Sequence, residues 1–305
     1  MSSRRRAVCA RAGAAGAVAL ALLGTMCAVL PPALSAQGEA PDAIKVAPAS
    51  PVQGDTLIVI VAAPSPAAVR VRFDGDAVPV FSLPDGQRRV LIGTTPDVAT
   101  GGHTLSVTVT EGTKAPQHYS QTVRVRSGHF GVRSLTLPPG TMDLVSTKNL
   151  DTEWRAIGPV LARRTPVAYW SGPFQAPSTA PIDSPYGVES VYNGHREWWH
   201  QGADFAGAEG DPVVAVNAGV VALAQNLPLG GNTVVLDHGQ GVLSEFIHLS
   251  SFTVHPGDRV ARGALIGRIG ATGLVTGPSL HWGLYVNGRW VNPLFWLDPH
   301  PGLTD

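Results

Sequence analysis

His200 and Asp204, a histidine and an aspartate four residues apart, form a candidate metal site with a distant histidine, His281. Two imidazoles and one carboxylate are a ligand set of catalytic zinc, which keeps a fourth position open for water. Such an ion activates water and polarises a carbonyl, which suits hydrolysis. His248, between these residues in the sequence, is a candidate proton carrier. Alone, the spacing is weak evidence, because a structural histidine beside a capping aspartate gives the same pattern.

The composition limits the classes of protein to which the chain can belong. Its 305 residues are enough for about two domains. The 22 basic and 22 acidic residues balance, so no basic signature indicates a nucleic-acid partner. Glycine (35) and proline (26) interrupt short apolar runs, which favours β-structure with many turns. The sequence gives no indication of oligomeric state.

The N-terminus has the pattern of an export signal over residues 1–36. Arg4, Arg5 and Arg6 precede an apolar stretch at residues 13–30, and small residues follow up to Ala36. An uncleaved membrane anchor is the alternative, since the stretch approaches the length of a membrane span. Both cysteines lie inside this segment, so the mature chain has no thiol nucleophile. We expect an exported protein, periplasmic or extracellular, without stable membrane insertion after cleavage.

Residues 37–128 are predicted to form a β-sandwich of immunoglobulin-like type. Apolar and polar residues alternate from Val69 to Phe73 and again from Leu105 to Val109, and turn residues separate such runs. Several short strands at this spacing are typical of an antiparallel sandwich. No motif with chemistry is present in this region.

Residues 129–180 are predicted to be a connector with one short helix. Leu150, Trp154, Ile157 and Leu161 recur at helical spacing, which indicates an amphipathic helix that packs against a domain. The pair at residues 158–159, Gly-Pro, is expected to kink or split this helix.

The last domain is predicted at residues 181–298, with a tail at 299–305. Residues 212–216, 220–224, 233–236 and 242–249 have strand patterns, and glycine turns separate further short runs. The predicted fold class is therefore all-β, with a sandwich, a short helical connector and an antiparallel sheet domain.

Many elements of residues 181–296 together resemble the lysostaphin-type (LytM-like) zinc metallopeptidases. In chain order they are residues 187–194, His200-x-Gly-x-Asp204, residues 210–215, 219–221 and 231–239, Phe246-x-His-Leu-Ser250, residues 254–260 and 263–273, and Thr276-Gly-Pro-Ser-Leu-His281. So many matches in order make the resemblance specific. It covers about two fifths of the chain.

The resemblance implies a groove of antiparallel sheet with one zinc ion at its floor. It implies zinc ligation by His200, Asp204 and His281, and a catalytic position for His248 beside the metal. It also implies that the partner and substrate is bacterial peptidoglycan, whose peptide cross-links the family cuts.

Strand alternation gives further expectations for the groove. Ser244, Phe246 and His248 are expected on one face of a strand, and Glu245 on the other, which argues against Glu245 as the base. Trp199 and Trp282 each neighbour a proposed ligand, so we expect them as groove walls.

Ser279 departs from the family pattern, which has a second catalytic histidine at this position. A serine hydroxyl can donate a hydrogen bond but cannot carry a positive charge near neutral pH. Losing one acid–base group typically costs about 10²–10⁴ in rate. The sequence thus predicts a secreted zinc endopeptidase of low activity. A non-catalytic cell-wall-binding or hydrolase-regulating module, and a peptidase acting on proteins, are the alternatives.

Overall fold

The computed structural model describes residues 43–136, 141–192 and 195–303. The predicted signal peptide at residues 1–36 lies outside them. Within the described residues the chain forms 22 strands and one α-helix, which confirms the all-β class. No helix in these ranges is both long and apolar enough to cross a membrane.

Two four-stranded antiparallel sheets form a sandwich near the N-terminus. One sheet has the order β1-β2-β6-β5 and the other β4-β3-β7-β8. The strands are β1 (Ile44–Ala47), β2 (Thr56–Val61), β3 (Ala68–Phe73), β4 (Asp76–Val78), β5 (Phe81–Ser82), β6 (Arg88–Gly93), β7 (Gly101–Thr110) and β8 (Gln117–Val125). Every second side chain along the strands, such as Val71, Leu105 and Val107, points into the space between the sheets.

Strand β2 is buried on both faces, which explains its continuous apolar sequence. Leu57 and Val59 face the sandwich interior, whereas Ile58 and Ile60 face a second core shared with the C-terminal part of the chain. The Trp296 indole N–H donates to Thr56 Oγ1 at 3.0 Å. Apolar contact and a buried hydrogen bond therefore join the sandwich to the C-terminal part.

The connector contains strand β9 (Val132–Leu135), a 3-10 turn (Thr141–Leu144) and helix α1 (Thr147–Leu161). The Ser146 hydroxyl caps the helix by accepting from the Asn149 N–H at 3.3 Å. The expectation that Gly158 and Pro159 split the helix is wrong. Pro159 lies in the last turn, where one missing N–H removes a single bond.

Only half of the apolar stripe on α1 packs against a domain as predicted. Ile157 and Leu161 are buried against a cluster that includes Val235, Leu243 and Tyr285. The other two stripe residues, Leu150 and Trp154, are exposed.

An eight-stranded antiparallel sheet dominates the C-terminal part. Its order is β10-β13-β21-β17-β16-β15-β19, and β22 also pairs with β21. These strands are β10 (Ile182–Ser184), β13 (Gly202–Phe205), β15 (Gly219–Leu227), β16 (Gly231–Gly239), β17 (Val242–Leu249), β19 (Arg259–Val260), β21 (Leu280–Val286) and β22 (Arg289–Val291). One face packs on the large core, and the other carries α1 at one side and an open groove beside it.

Two three-stranded sheets and a final 3-10 helix complete the fold. Their orders are β12-β11-β9, in which β9 and β11 run parallel, and β14-β20-β18. The elements are β11 (Glu189–Tyr192), β12 (His195–Trp199), β14 (Pro212–Val214), β18 (Ser251–Phe252), β20 (Leu265–Arg268) and the 3-10 helix Pro293–Leu297. The connector thus contributes β9 to a sheet next to the groove.

Candidate metal centre

His200, Asp204 and His281 converge in the lining of the groove. Strand β13 pairs with β21 so that Asp204 lies opposite His281, and cross-strand partners share a sheet face. Asp204 Oδ1 is 2.9 Å from His200 Nε2 and 2.8 Å from His281 Nδ1, and these two nitrogens are 3.0 Å apart. Three potential ligand atoms from distant parts of the sequence therefore meet at one point.

The backbone around His200 fixes which ring nitrogen faces the cluster. His200 follows β12, and its Nδ1 lies 2.9 Å from the Pro185 carbonyl oxygen and 3.2 Å from Ser184 Oγ. A carbonyl can only accept, so the Nδ1–H donates to it. Nε2 is left with its lone pair, as an imidazole ligand requires.

Gly202 explains why the motif has glycine between the histidine and the aspartate. A β-carbon at this position would lie 2.6 Å from His281 Nε2 and 2.3 Å from the Trp282 carbonyl oxygen. Such distances are far below van der Waals contact. The missing side chain lets the His281 ring lie against β13 with Nδ1 turned to Asp204.

The electrostatics of the cluster favour a charged aspartate. Burial alone would raise the pKa of Asp204, but its contacts with His200 and His281 outweigh burial and hold the pKa well below its ordinary value. Burial lowers the pKa of His281. Arg133 of β9 adds a positive charge, with a terminal guanidinium nitrogen 3.6 Å from Asp204 Oδ2 and its Nε donating to Ser190 Oγ at 3.2 Å.

A β-bulge turns His248 towards the same groove. Between β16 and β17, Ile247 and His248 together oppose the single residue Thr233, and His248 has φ 65°. The expected alternation is therefore wrong at this point. Ile247, His248 and Glu245 all line the groove, whereas Phe246 lies in the large core.

Hydrogen bonds hold the His248 backbone and ring. The His248 N–H donates to the Gly230 carbonyl at 2.8 Å, and ring Nδ1 donates to the Thr272 carbonyl at 2.8 Å. Burial lowers the pKa of His248 to about 4. The ring is therefore neutral near pH 7, with Nε2 left as a hydrogen-bond acceptor.

The groove has a volume of about 1120 Å³ and is lined by the cluster, His248 and residues on both sides. Trp199 lines it. The prediction for Trp282 is wrong, because alternation along β21 places Trp282 in the core when His281 faces the groove. Ser279 lines the groove, and its N–H donates to the Gly270 carbonyl at 3.0 Å.

Other residues also line the groove. Glu245 lies on the floor and accepts from the Tyr285 hydroxyl at 3.1 Å. Burial, reinforced by the charge of Glu153, raises the pKa of Glu245 to about 7. Trp290 also lines the groove, as does one face of α1. Their positions depend on tertiary packing, for which the sequence has no local signal.

The donor set fits a single divalent metal ion. Two imidazole nitrogens and one carboxylate oxygen, all within 4.8 Å of one another, converge beside a groove. An ion at about 2.0–2.2 Å from each donor would have three protein ligands and one open side. The arrangement can therefore hold a metal and present it to a molecule in the groove.

Comparisons with known proteins agree with this geometry. The model of peptidase family M23 matches residues 199–293. Peptidoglycan DD-endopeptidase ShyA of Vibrio cholerae serotype O1 is 40% identical over 121 residues, which are 37% of this chain and 28% of that protein. DD-carboxypeptidase/endopeptidase Mpg of Neisseria meningitidis serogroup B is 38% identical over 123 residues, which are 40% of this chain and 28% of that protein. The chain thus spans little more than a quarter of these relatives.

One solved structure resembles most of the chain. A crystal structure described as a peptidase M23 from Pseudomonas aeruginosa is 27% identical, with a TM-score of 0.61, over 81% of this chain and 94% of that one. The likeness therefore extends upstream of the segment that the family model matches. Residues 199–293 thus match the peptidase M23 domain, which agrees with the resemblance found in the sequence.

Proposed function

We propose that this protein is a zinc metalloendopeptidase that hydrolyses the peptide cross-links of bacterial peptidoglycan. The convergence of His200, Asp204 and His281 in the lining of a groove carries the proposal. The names of ShyA and Mpg support the substrate, since both are named as endopeptidases and ShyA as acting on peptidoglycan. Such a substrate places the protein in the periplasm or outside the cell.

His200 Nε2, Asp204 Oδ1 and His281 Nδ1 are the atoms that would hold one zinc ion. Zinc prefers imidazole nitrogen and carboxylate oxygen, and three protein ligands are the number used by catalytic sites. When bound, the ion supplies a Lewis acid that activates water and polarises the scissile carbonyl. The Pro185 carbonyl fixes the orientation of His200, in the way that outer hydrogen bonds orient metal-binding histidines.

His248 is the residue proposed to move the proton. Its neutral ring holds Nδ1 on the Thr272 carbonyl and leaves the Nε2 lone pair to accept a proton from the attacking water. The water oxygen forms a C–O bond to the scissile carbonyl carbon. The same nitrogen then returns the proton to the leaving amine as the peptide C–N bond breaks. Ser279 can donate a hydrogen bond at the groove but cannot take a second proton.

Ser279 is also the observation that favours the other candidate function. A module that binds the cell wall, or regulates another hydrolase, would not need a second acid–base group. The retained metal cluster and the fixed orientation of His248 favour the enzyme, because a purely binding module needs neither.

Digestion of purified sacculi by the mature chain separates these functions. The zinc-loaded wild type should release soluble fragments, and a chelator or His248→Ala should abolish the release. His255→Ala is the matched control, because His255 is a histidine on the exposed surface away from the groove. Sacculi that are bound but never cut, with zinc in the site, would support the binding module and contradict the enzyme.

A further inference from the structure

Helix α1 lies outside the segment that the M23 family model matches, yet one of its faces forms a side of the groove. The residues of this face, here called the α1 wall, are Leu150, Asp151, Trp154, Ile157, Gly158 and Leu161. They recur at intervals of three and four, which places them on one helix face. The groove that contains the metal cluster is therefore bounded in part by the connector.

We propose that the α1 wall is a substrate-binding surface, on which Leu150 and Trp154 contact apolar side chains of the peptide next to the cleaved bond. The inference rests on the proposed function, because it assigns a subsite to the same groove. It makes these two connector residues determinants of substrate affinity.

The exposure of these two side chains is the first observation that supports the α1 wall. Trp154 is 68% exposed and Leu150 is 42% exposed, although both continue the stripe that packs on the sheet. Ile157, Val160 and Leu161 anchor the helix in the cluster around Tyr285, so the helix cannot rotate to bury the exposed pair. A ligand that covers large exposed apolar side chains in a groove is stabilised by the burial of their surface.

The glycine at position 158 of the helix also supports the α1 wall. Glycine inside a helix costs about 1 kcal/mol relative to alanine, so its presence here calls for a reason. A β-carbon on Gly158 would lie 3.2 Å from the nearest atom of the Trp154 ring. The missing side chain lets the indole lie along the helix and keeps this part of the wall flat.

The shape and charge of the groove indicate an extended peptide as the occupant. From His281 to Tyr285 the floor runs along five residues of β21. The four steps between them span about 13 Å, which is room for about four extended residues. The α1 wall offers mainly apolar surface, with Asp151 as its one charged residue. The carboxylate of Glu153, next to the wall, is directed to a neighbouring loop. On the lining away from α1 lie charged residues, Arg133 and Asp183. A peptide with small apolar side chains towards α1 and polar groups on its other side is complementary to both.

Steady-state kinetics on soluble cross-linked muropeptides, released from sacculi by a muramidase, tests the α1 wall. Trp154→Ala and Leu150→Ala in the full chain should each raise KM at least about fivefold and leave kcat within about twofold. Trp154→Phe should restore most of the affinity. Leu265→Ala is the matched control, since Leu265 is 41% exposed on β20, away from the groove, and it should change neither constant.

Binding of the same muropeptides to zinc-loaded His248→Ala chain keeps the two proposals distinguishable. Weaker binding after Trp154→Ala supports the α1 wall even if the wild type fails to cut the fragments. Equal binding by chains with and without Trp154→Ala, or higher activity of the Trp154→Ala variant, contradicts the proposal for the α1 wall and leaves the proposed function intact. Fragments that neither bind nor are cut contradict both proposals.

Discussion

Replacing Glu153 of helix α1 should disturb His248 without touching the metal ligands. The two carboxylate oxygens of Glu153 accept from the N–H groups of Leu229 and Gly230 at 3.0 and 2.9 Å. The carbonyl of the same Gly230 accepts the N–H of His248 at 2.8 Å. One side chain of the connector therefore holds the loop on which the proposed catalytic histidine is bonded.

The size of the effect follows from the two bonds. A hydrogen bond to a charged acceptor contributes about 1.5–3 kcal/mol, and leaving a buried N–H unpaired costs about 1–3 kcal/mol. Glu153 is only half-buried, so water replaces part of the loss. We expect Glu153→Ala to lower the free energy of unfolding by about 2 kcal/mol and Tm by about 5 °C. We expect kcat to fall about tenfold, because a misplacement of about 1 Å can cost up to a hundredfold.

The assay combines urea unfolding, zinc content and kinetics on cross-linked muropeptides. Zinc content should stay at one per chain, because none of the three ligands changes. Glu153→Gln should lose about half as much stability, since its single amide oxygen still accepts. Arg155→Ala is the control, as Arg155 is exposed on the same helix. A kcat equal to that of the wild type in a chain destabilised as expected would refute the link from the loop to His248.

Three other substitutions test separate parts of the site. Gly202→Ala should abolish zinc binding and lower the free energy of unfolding by more than about 2 kcal/mol, because its β-carbon would lie 2.3 Å from a backbone oxygen; metal content and urea unfolding check this. Glu245 is an acid whose pKa rises from 4.5 to about 7 on folding, so its contribution to stability is full below pH 4.5 and is lost as pH rises through about 7. Glu245→Gln should therefore remove about 3 kcal/mol of the pH dependence of unfolding between pH 4.5 and 8, and a profile parallel to the wild type would contradict this. Ser279→His should raise kcat at least about tenfold on cross-linked muropeptides. A variant no faster than the wild type would show that activity is not limited by the absence of an acid–base group at position 279.

The grouping of His200, Asp204 and His281 could be predicted because a family resemblance accompanies their residue types and spacing. The His200 motif, the run that ends at His281 and the alternating strands are local patterns. Residue type and spacing constrain the chemistry there before any fold is known. The same holds for the sandwich, where alternation in β7 fixes which side chains face the interior.

The face of His248 could not be predicted from the same kind of pattern. Alternation assumes one residue for each step of the partner strand, and a bulge inserts an extra one. A positive φ is uncommon for residues other than glycine, and no local pattern before His248 predicts it. The prediction for Trp282 failed for a simpler reason. Trp282 follows His281 on the same strand, so it faces the core when His281 faces the groove.

The residues around the site come from two segments of the sequence, and only one of them carries a recognisable motif. The family-matched residues supply every proposed ligand and His248, so a motif search finds a complete set of reacting groups. The structure adds Arg133 beside Asp204, Glu153 beneath the Gly230 loop and Trp154 on the groove side. Arg133 and Glu153 belong to no motif, and the helical spacing of Trp154 predicts only packing. The parallel pairing of β9 and the packing of α1 bring them to the site. The region upstream of the M23 segment thus forms part of the groove lining, and specificity for the substrate can reside in it.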